Sequence, residues 1–216
     1  MKIGVLGTGM VGNAIGTKLV QLGHEVMMGS RIQNNEKAAA WVKSAGSKAS
    51  HGTFADTAQY GEVLFNCTNG GASMEALQSA GAGNMKGKII IDVSNPLDFS
   101  KGMPPSLIPR YSNTTSLGEE IQKAFPESKV VKTLNTINCN LMVNASLVSG
   151  KHDIFVCGND AGAKDTVNSI LNWFGWKNPV DLGDISGARG LEMYLPLWIR
   201  LWSVTKTPNF NISVIK

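Results

Sequence analysis

Residues 2–12 read KIGVLGTGMVG, an apolar run that stops at three glycines, Gly7, Gly9 and Gly12, in GxGxxG spacing. The run has the length and apolar character of a buried strand, and MVGNAIGTKLVQL after it has the period of a helix. Each glycine then has a separate task. Gly7 permits the tight turn, Gly9 lets a diphosphate approach the backbone, and Gly12 allows helix and strand to pack closely. Free amides at the start of the helix, with its dipole, would hold the diphosphate. A second strand, EVMMG from Glu25, follows at the interval such a unit requires. The stretch therefore predicts dinucleotide binding.

The end of that second strand indicates which dinucleotide. An acidic residue there would hydrogen-bond the adenosine ribose and repel a 2′-phosphate. This chain has Gly29, Ser30 and Arg31 instead. Ser30 can donate to a phosphate, and Arg31 can pair with it or stack on the adenine. Lys37, at the start of the next helical stretch, is a third candidate contact. The expected cofactor is NADP.

Outward from this unit, short β-rich runs alternate with stretches of helical period, which predicts an α/β fold. The expected architecture is a Rossmann-type, mostly parallel, doubly wound sheet with a small C-terminal α/β lobe. Residues 1–150 would form the NADP-binding domain. Residues 151–216 would form the lobe that completes an acceptor cleft and supplies a possible dimer interface. Strands are expected in EVLFNCT, KIIIDVSNP, KVVKTLN, DIFVCG and NPVDLG, and helices near residues 34–46, 72–80, 114–125 and 160–176. Residues 97–113, proline-rich and preceded by Pro96, are expected to be a long loop. The segment LEMYLPLWIRLWSV has two readings: a helix buried on the sheet and kinked at Pro196, or a subunit interface rich in Trp, Tyr and Met.

Composition excludes several classes. The 216 residues carry 20 basic and 16 acidic side chains, a net charge of +4, without a basic block or zinc-finger spacing, so nucleic acid is not an expected partner. Cys67, Cys139 and Cys157 are odd in number and widely spaced, which points to reduced thiols rather than a metal or redox pair. No metal site is expected. A strand beginning at Ile3 leaves no room for a leader, and no apolar run is long enough to span a bilayer, so the expected location is the cytoplasm, away from membranes.

The blocks GVLGTGMVGNAIGTKLVQLGHEVMMGSR, DVSNPL, VVKTLNTI, VCGNDAGAKDTV and VDLGDISGARGLE, in this order, resemble the coenzyme F420-dependent family of NADP oxidoreductases. That family in turn is similar to the oxidoreductase domain of membrane metalloreductases. The resemblance implies nucleotide contacts at Thr8, Met10 and Val11, and at Ser30, Arg31 and Lys37 around the 2′-phosphate. It places Thr68, Asn69 and Gly70 near the nicotinamide, and Asn135 and Thr136 on the floor of the hydride-transfer site. It also brings Gly187, Ala188 and Arg189 towards the deazaflavin or flavin cleft, and makes a homodimer the expected assembly. Many relatives have a more apolar segment where this chain reads NCTNGGAS.

Hydride transfer between stacked rings needs no side-chain nucleophile, so no catalytic residue is assigned. Thr68 and Asn69 end one predicted strand, Asn95 follows another, and Asn135 and Thr136 end a third. All are cofactor-contact candidates on one crevice. Asp92 has a structural reading, in which it bonds nearby loop amides and fixes Asn95. The expected function is hydride transfer between NADP(H) and coenzyme F420, FMN or FAD. The alternatives are an NADP(H)-holding sensor or partner-binding protein, and a reductase of a small carbonyl or imine substrate.

Overall fold

A computed structural model describes residues 1–215. The chain runs β1 (Lys2–Leu6), α1 (Met10–Gln21), β2 (Glu25–Ser30), α2 (Glu36–Ala45), β3 (Ala49–Thr53), α3 (Phe54–Tyr60) and β4 (Val63–Asn66). It continues through α4 (Ser73–Ala80), α5 (Ala82–Met85), β5 (Ile89–Asp92), β6 (Leu97–Asp98), β7 (Ser106–Leu107), α6 (Leu117–Ala124) and β8 (Lys129–Thr133). The remainder is α7 (Cys139–Met142), β9 (Phe155–Gly158), α8 (Ala161–Trp173), β10 (Val180–Asp181), α9 (Ala188–Met193) and α10 (Leu195–Thr205).

Eight strands make one sheet in the order β10-β9-β8-β5-β4-β1-β2-β3. Every pairing is parallel except β8 with β9. The chain leaves β3 at one edge and re-enters as β4 on the far side of β1. The strand order therefore reverses between β1 and β4, and a doubly wound sheet opens its ligand crevice at such a point.

Local chemistry explains the helix starts. Asn35, Ser116 and Asp160 each accept a backbone N–H of the first turn of α2, α6 and α8. Thr53 and Asp56 form a reciprocal capping box for α3. Two apolar clusters fill the layers. One is built around Ile15, Leu19, Trp41, Val131, Val167 and Trp176, the other around Leu64, Leu77, Met85, Ile90 and Ile121. Gly16 is where α1 meets α2: a Cβ there would lie 2.9 Å from the Trp41 ring, whose indole N–H donates to Thr17 at 3.0 Å.

Three features depart from the sequence expectations. β3 went unrecognised because ASHGT has no apolar alternation; as an edge strand it pairs through its backbone with β2 alone. The loop 97–113 contains a two-residue antiparallel ladder, Leu97 with Leu107 and Asp98 with Ser106, too short to leave a periodic signature. The aromatic tail is two helices, with Pro196 in the first turn of α10, where its missing N–H costs nothing. That helix is not buried on the sheet: Trp202 is 43% and Val204 64% exposed.

Candidate active site

The glycine loop crosses the sheet where β1 and β4 end. Gly7 has φ +120°, and a Cβ on it would lie 2.7 Å from the Cys67 carbonyl oxygen. A Cβ on Gly12 would lie 2.1 Å from the Gly7 carbonyl oxygen, so the first turn of α1 sits directly on the loop. Gly9 is the opposite case. A Cβ there would meet nothing within 4 Å. Gly9 is also the N-cap of α1 and brings no side-chain cap, and the first turn holds no acid. The positive end of a twelve-residue helix thus faces open space unneutralised, as a diphosphate requires.

A cleft of about 250 Å³ runs from this loop to the end of β2. It is lined by Gly7, Thr8, Gly9, Ser30, Arg31, Phe54, Thr68 and Asn69, among others, and no Asp or Glu lines it. Arg31 is exposed and forms no salt bridge among the described residues. Ser30 is buried, and its hydroxyl donates to the Ile32 carbonyl at 2.6 Å, so the proton expected to reach a phosphate instead shapes the turn that presents Arg31. Lys37 does not line this cleft. It lies on a larger open groove of about 1180 Å³ between α1, α2 and α7, which shares Thr8 and Gly9 with the cleft and is also lined by the exposed Met10.

Beyond Thr68 the cleft continues into a recess of about 140 Å³ lined by Val11, Cys67, Thr68, Asn69, Gly70, Val93, Ser94, Asn95, Leu97 and Phe99. Pockets for drug-sized ligands start at about 300 Å³, so this recess alone is smaller than a whole ligand site. Thr68 donates its hydroxyl to Asn66 Oδ1 at 2.6 Å, and Asn69 accepts the Gly71 N–H at 3.0 Å. Gly70 admits no side chain, because a Cβ would lie 2.1 Å from the Asn95 carbonyl oxygen. Burial pushes the Cys67 thiol up, with the Asp92 charge adding to the effect, so it stays protonated.

Asn95 and Asn135 hold each other across the strand ends. Asn95 Nδ2 donates to the Asn135 carbonyl and Asn135 Nδ2 to Asn95 Oδ1, both at 2.9 Å. Asn135 also donates to the Leu191 carbonyl at 3.1 Å, and Thr136 beside it is buried. The structure thus joins the β5 and β8 exits directly. Of the segment 187–189, Ala188 packs 2.9 Å from where a Gly118 Cβ would stand, and Arg189 is bound by the Glu119 carboxylate.

Beneath these exits lies a charged group that the sequence reading largely missed. Asp92, Lys132 and Glu192 are all 0% exposed. Lys132 Nζ lies 2.7 Å from Asp92 and 2.8 Å from Glu192, and donates to the Ser94 carbonyl at 2.6 Å. Asp92 accepts Asn66 Nδ2 at 2.8 Å, and the hydroxyl and backbone N–H of Ser94 at 2.7 and 3.2 Å. Glu192 accepts the first amides of α6, from Leu117 at 2.8 Å and Gly118 at 3.0 Å. Burial works against the Lys132 ammonium, yet Asp92 and then Glu192 raise it above the usual lysine value. Burial pushes the Glu192 carboxyl up, against the pull of Lys132. A lysine inside the apolar strand KVVKTL, and a glutamate inside the aromatic stretch LEMYL, were the available signals.

No group of three or more His, Cys, Asp and Glu able to hold a metal occurs among the described residues. No helix among them is long and apolar enough to cross a membrane.

Comparison with known proteins agrees with this geometry. The family described as NADP oxidoreductase, coenzyme F420-dependent, matches residues 2–96. Rat metalloreductase STEAP3 is 31% identical over 204 residues, 91% of this chain but 38% of its own, so the chain spans well under half of that relative. The F420-dependent NADP reductase of Methanocaldococcus jannaschii is 27% identical over 222 residues, covering 99% of this chain and 98% of its own. A crystal structure from Arthrobacter sp. FB24, provisionally described as an F420-dependent NADP-reductase, superposes with a TM-score of 0.94 and 48% identity over the whole of both chains. With 48% identity over the whole of both chains, beside the family match at residues 2–96, the chain belongs to the coenzyme F420-dependent NADP oxidoreductase family.

Proposed function

We propose that the chain binds NADP(H) along the β1–β4 crevice and transfers hydride between its nicotinamide and a planar deazaflavin or flavin acceptor. Membership of the family makes it an NADP-dependent oxidoreductase. The observation that carries the assignment is Arg31, an unpaired cation at the end of a cleft without acids. Bound NADP(H) supplies the hydride and the acceptor ring receives it, so no side chain must act as a nucleophile. The chain's task is to bind, align and dry the two rings. In this assignment the loop at Gly7, Thr8 and Gly9 and the start of α1 hold the diphosphate, and Arg31 takes the 2′-phosphate. Thr68, Asn69, Gly70 and Asn95 seat the nicotinamide. Asn135 and Thr136 form the floor, while Val11, Leu97 and Phe99 keep water from the ring. Lys37 is assigned no direct contact, because it opens on the adjacent groove.

The experiment is a pair of equilibrium titrations with NADPH and NADH, followed by an acceptor screen with F420, FMN and FAD. Arg31→Ala is expected to weaken NADPH by about 1.5–3 kcal/mol, a charge-assisted contact, which is roughly 10- to 150-fold. NADH should change much less. Equal losses for both would remove the phosphate role. Saturable dependence on the acceptor concentration would exclude a protein that merely holds NADP(H).

The proposal extends to the C-terminal segment. Residues 151–216 would complete the acceptor cleft, since Leu191 and Glu192 reach its floor. The exposed side chains of α10, with Met193 and Leu197, would bury against a second copy. Light scattering should then report about twice the 23.0 kDa chain mass, and Trp202→Glu should halve it. We propose the cytoplasm as the location, consistent with three unpaired cysteines.

A further inference from the structure

We propose that Lys132 is the positioning residue of the hydride-transfer crevice: without touching either ring, it fixes the three strand exits that hold the nicotinamide. The inference rests on the function proposed above and goes beyond it.

The geometry is unusually complete. An ammonium has three protons to donate, and Lys132 directs them to Asp92, Glu192 and the Ser94 carbonyl, all within 2.8 Å. Each partner governs a different wall of the crevice. Asp92 holds Asn66, whose Oδ1 accepts the Thr68 hydroxyl, so the β4 exit is tied to the lysine through two side chains. Ser94 is covalently next to Asn95, which fixes the β5 exit. Asn95 then grips Asn135 on the β8 exit. Glu192 is next to Leu191, whose carbonyl takes the second Asn135 proton.

Stability alone does not call for this arrangement. Replacing a buried ion cluster with apolar side chains of similar volume is often neutral or stabilising. Apolar packing is non-directional, however, and it cannot hold irregular, polar strand exits at set angles. A single buried ammonium with three short bonds does. Ring-to-ring transfer is sensitive to such angles, because a displacement of about 1 Å costs roughly a hundredfold in rate.

The test uses Lys132→Met and, because that variant leaves two buried carboxylates without their cation, also the near-isosteric Asp92→Asn. In the latter the amide faces the ammonium donor to donor and the network loosens. Three quantities are measured: the NADPH dissociation constant, the single-turnover rate of hydride transfer from NADPH to F420, and the emission of bound NADPH, which reports the surroundings of the dihydronicotinamide. Ile170→Ala, a core substitution in α8, is the control for lost stability. The expected result is a rate at least tenfold lower in the network variants, bound-NADPH emission moved towards that of free NADPH, and NADPH affinity within threefold. Ile170→Ala should keep the wild-type rate. An unchanged rate and emission in folded Asp92→Asn would overturn the proposal, as would equal losses in Ile170→Ala. If the wild-type protein reduces no F420 or flavin, the proposed function fails. The emission measurement then still decides the role of Lys132.

Discussion

Alanine at position 12 is expected to abolish NADPH binding while most of the fold survives. The added methyl would stand 2.1 Å from the Gly7 carbonyl oxygen and 3.1 Å from its carbon, whereas comfortable contact needs about 3.5 Å or more. Both atoms are backbone, so no side chain can rotate away. The first turn of α1 must lift from the loop, which carries the amides of Thr8 to Val11 away from the diphosphate. A loss of at least about a hundredfold in affinity, or 2.7 kcal/mol, should accompany about 1–3 kcal/mol of destabilisation from overpacking. Gly9→Ala separates the two effects. Its methyl meets nothing within 4 Å of the empty loop, so the melting temperature should hold while NADPH binding falls. Titration and thermal melts of both variants check this. Tight NADPH binding by Gly12→Ala would mean the diphosphate sits elsewhere.

Replacing Trp176 with alanine should have the largest effect on stability, about 3–5 kcal/mol for a buried aromatic. Trp176 is 3% exposed in the core between α7 and α8. Its indole N–H donates to the Met142 carbonyl at 3.0 Å, and His152 packs edge-on with ring centroids 5.2 Å apart. The substitution therefore opens a cavity and leaves a buried carbonyl without a donor. For a chain of this size the melting temperature should fall by roughly 6–20 °C. Trp176→Phe keeps most of the volume but loses the donor, so about 1–3 kcal/mol is expected. Equal losses for Ala and Phe would show that the hydrogen bond, not the packing, dominates.

The sequence was most legible where one residue type answers one steric demand. Gly7, Gly9 and Gly12 each met a different geometric condition, and the strand and helix around them followed from periodicity alone. The missing acid after β2 was equally plain. What stayed hidden depended on partners distant in the chain. KVVKTL reads as a strand with one misplaced lysine until Asp92 and Glu192 close around it. The antiparallel entry of β9 leaves no mark in DIFVCG, because a buried strand has the same composition in either direction. Ser30 was read from its chemical capacity to donate, whereas a turn only two residues long claims that proton for Ile32.

The spacing of the buried charges also bears on biosynthesis. The partners of Lys132 lie 40 residues before it and 60 residues after it. At about 5–20 residues per second, the ribosome needs roughly 3–12 s to travel from Lys132 to Glu192. During that interval a nascent chain holds a lysine with one carboxylate and leaves the amides of Leu117 and Gly118 without the acceptor that later covers them. Completion of α9 is thus a late latch. Truncated products that stop short of it keep the glycine loop yet lack the closing contact, and quality-control proteases are expected to clear them first.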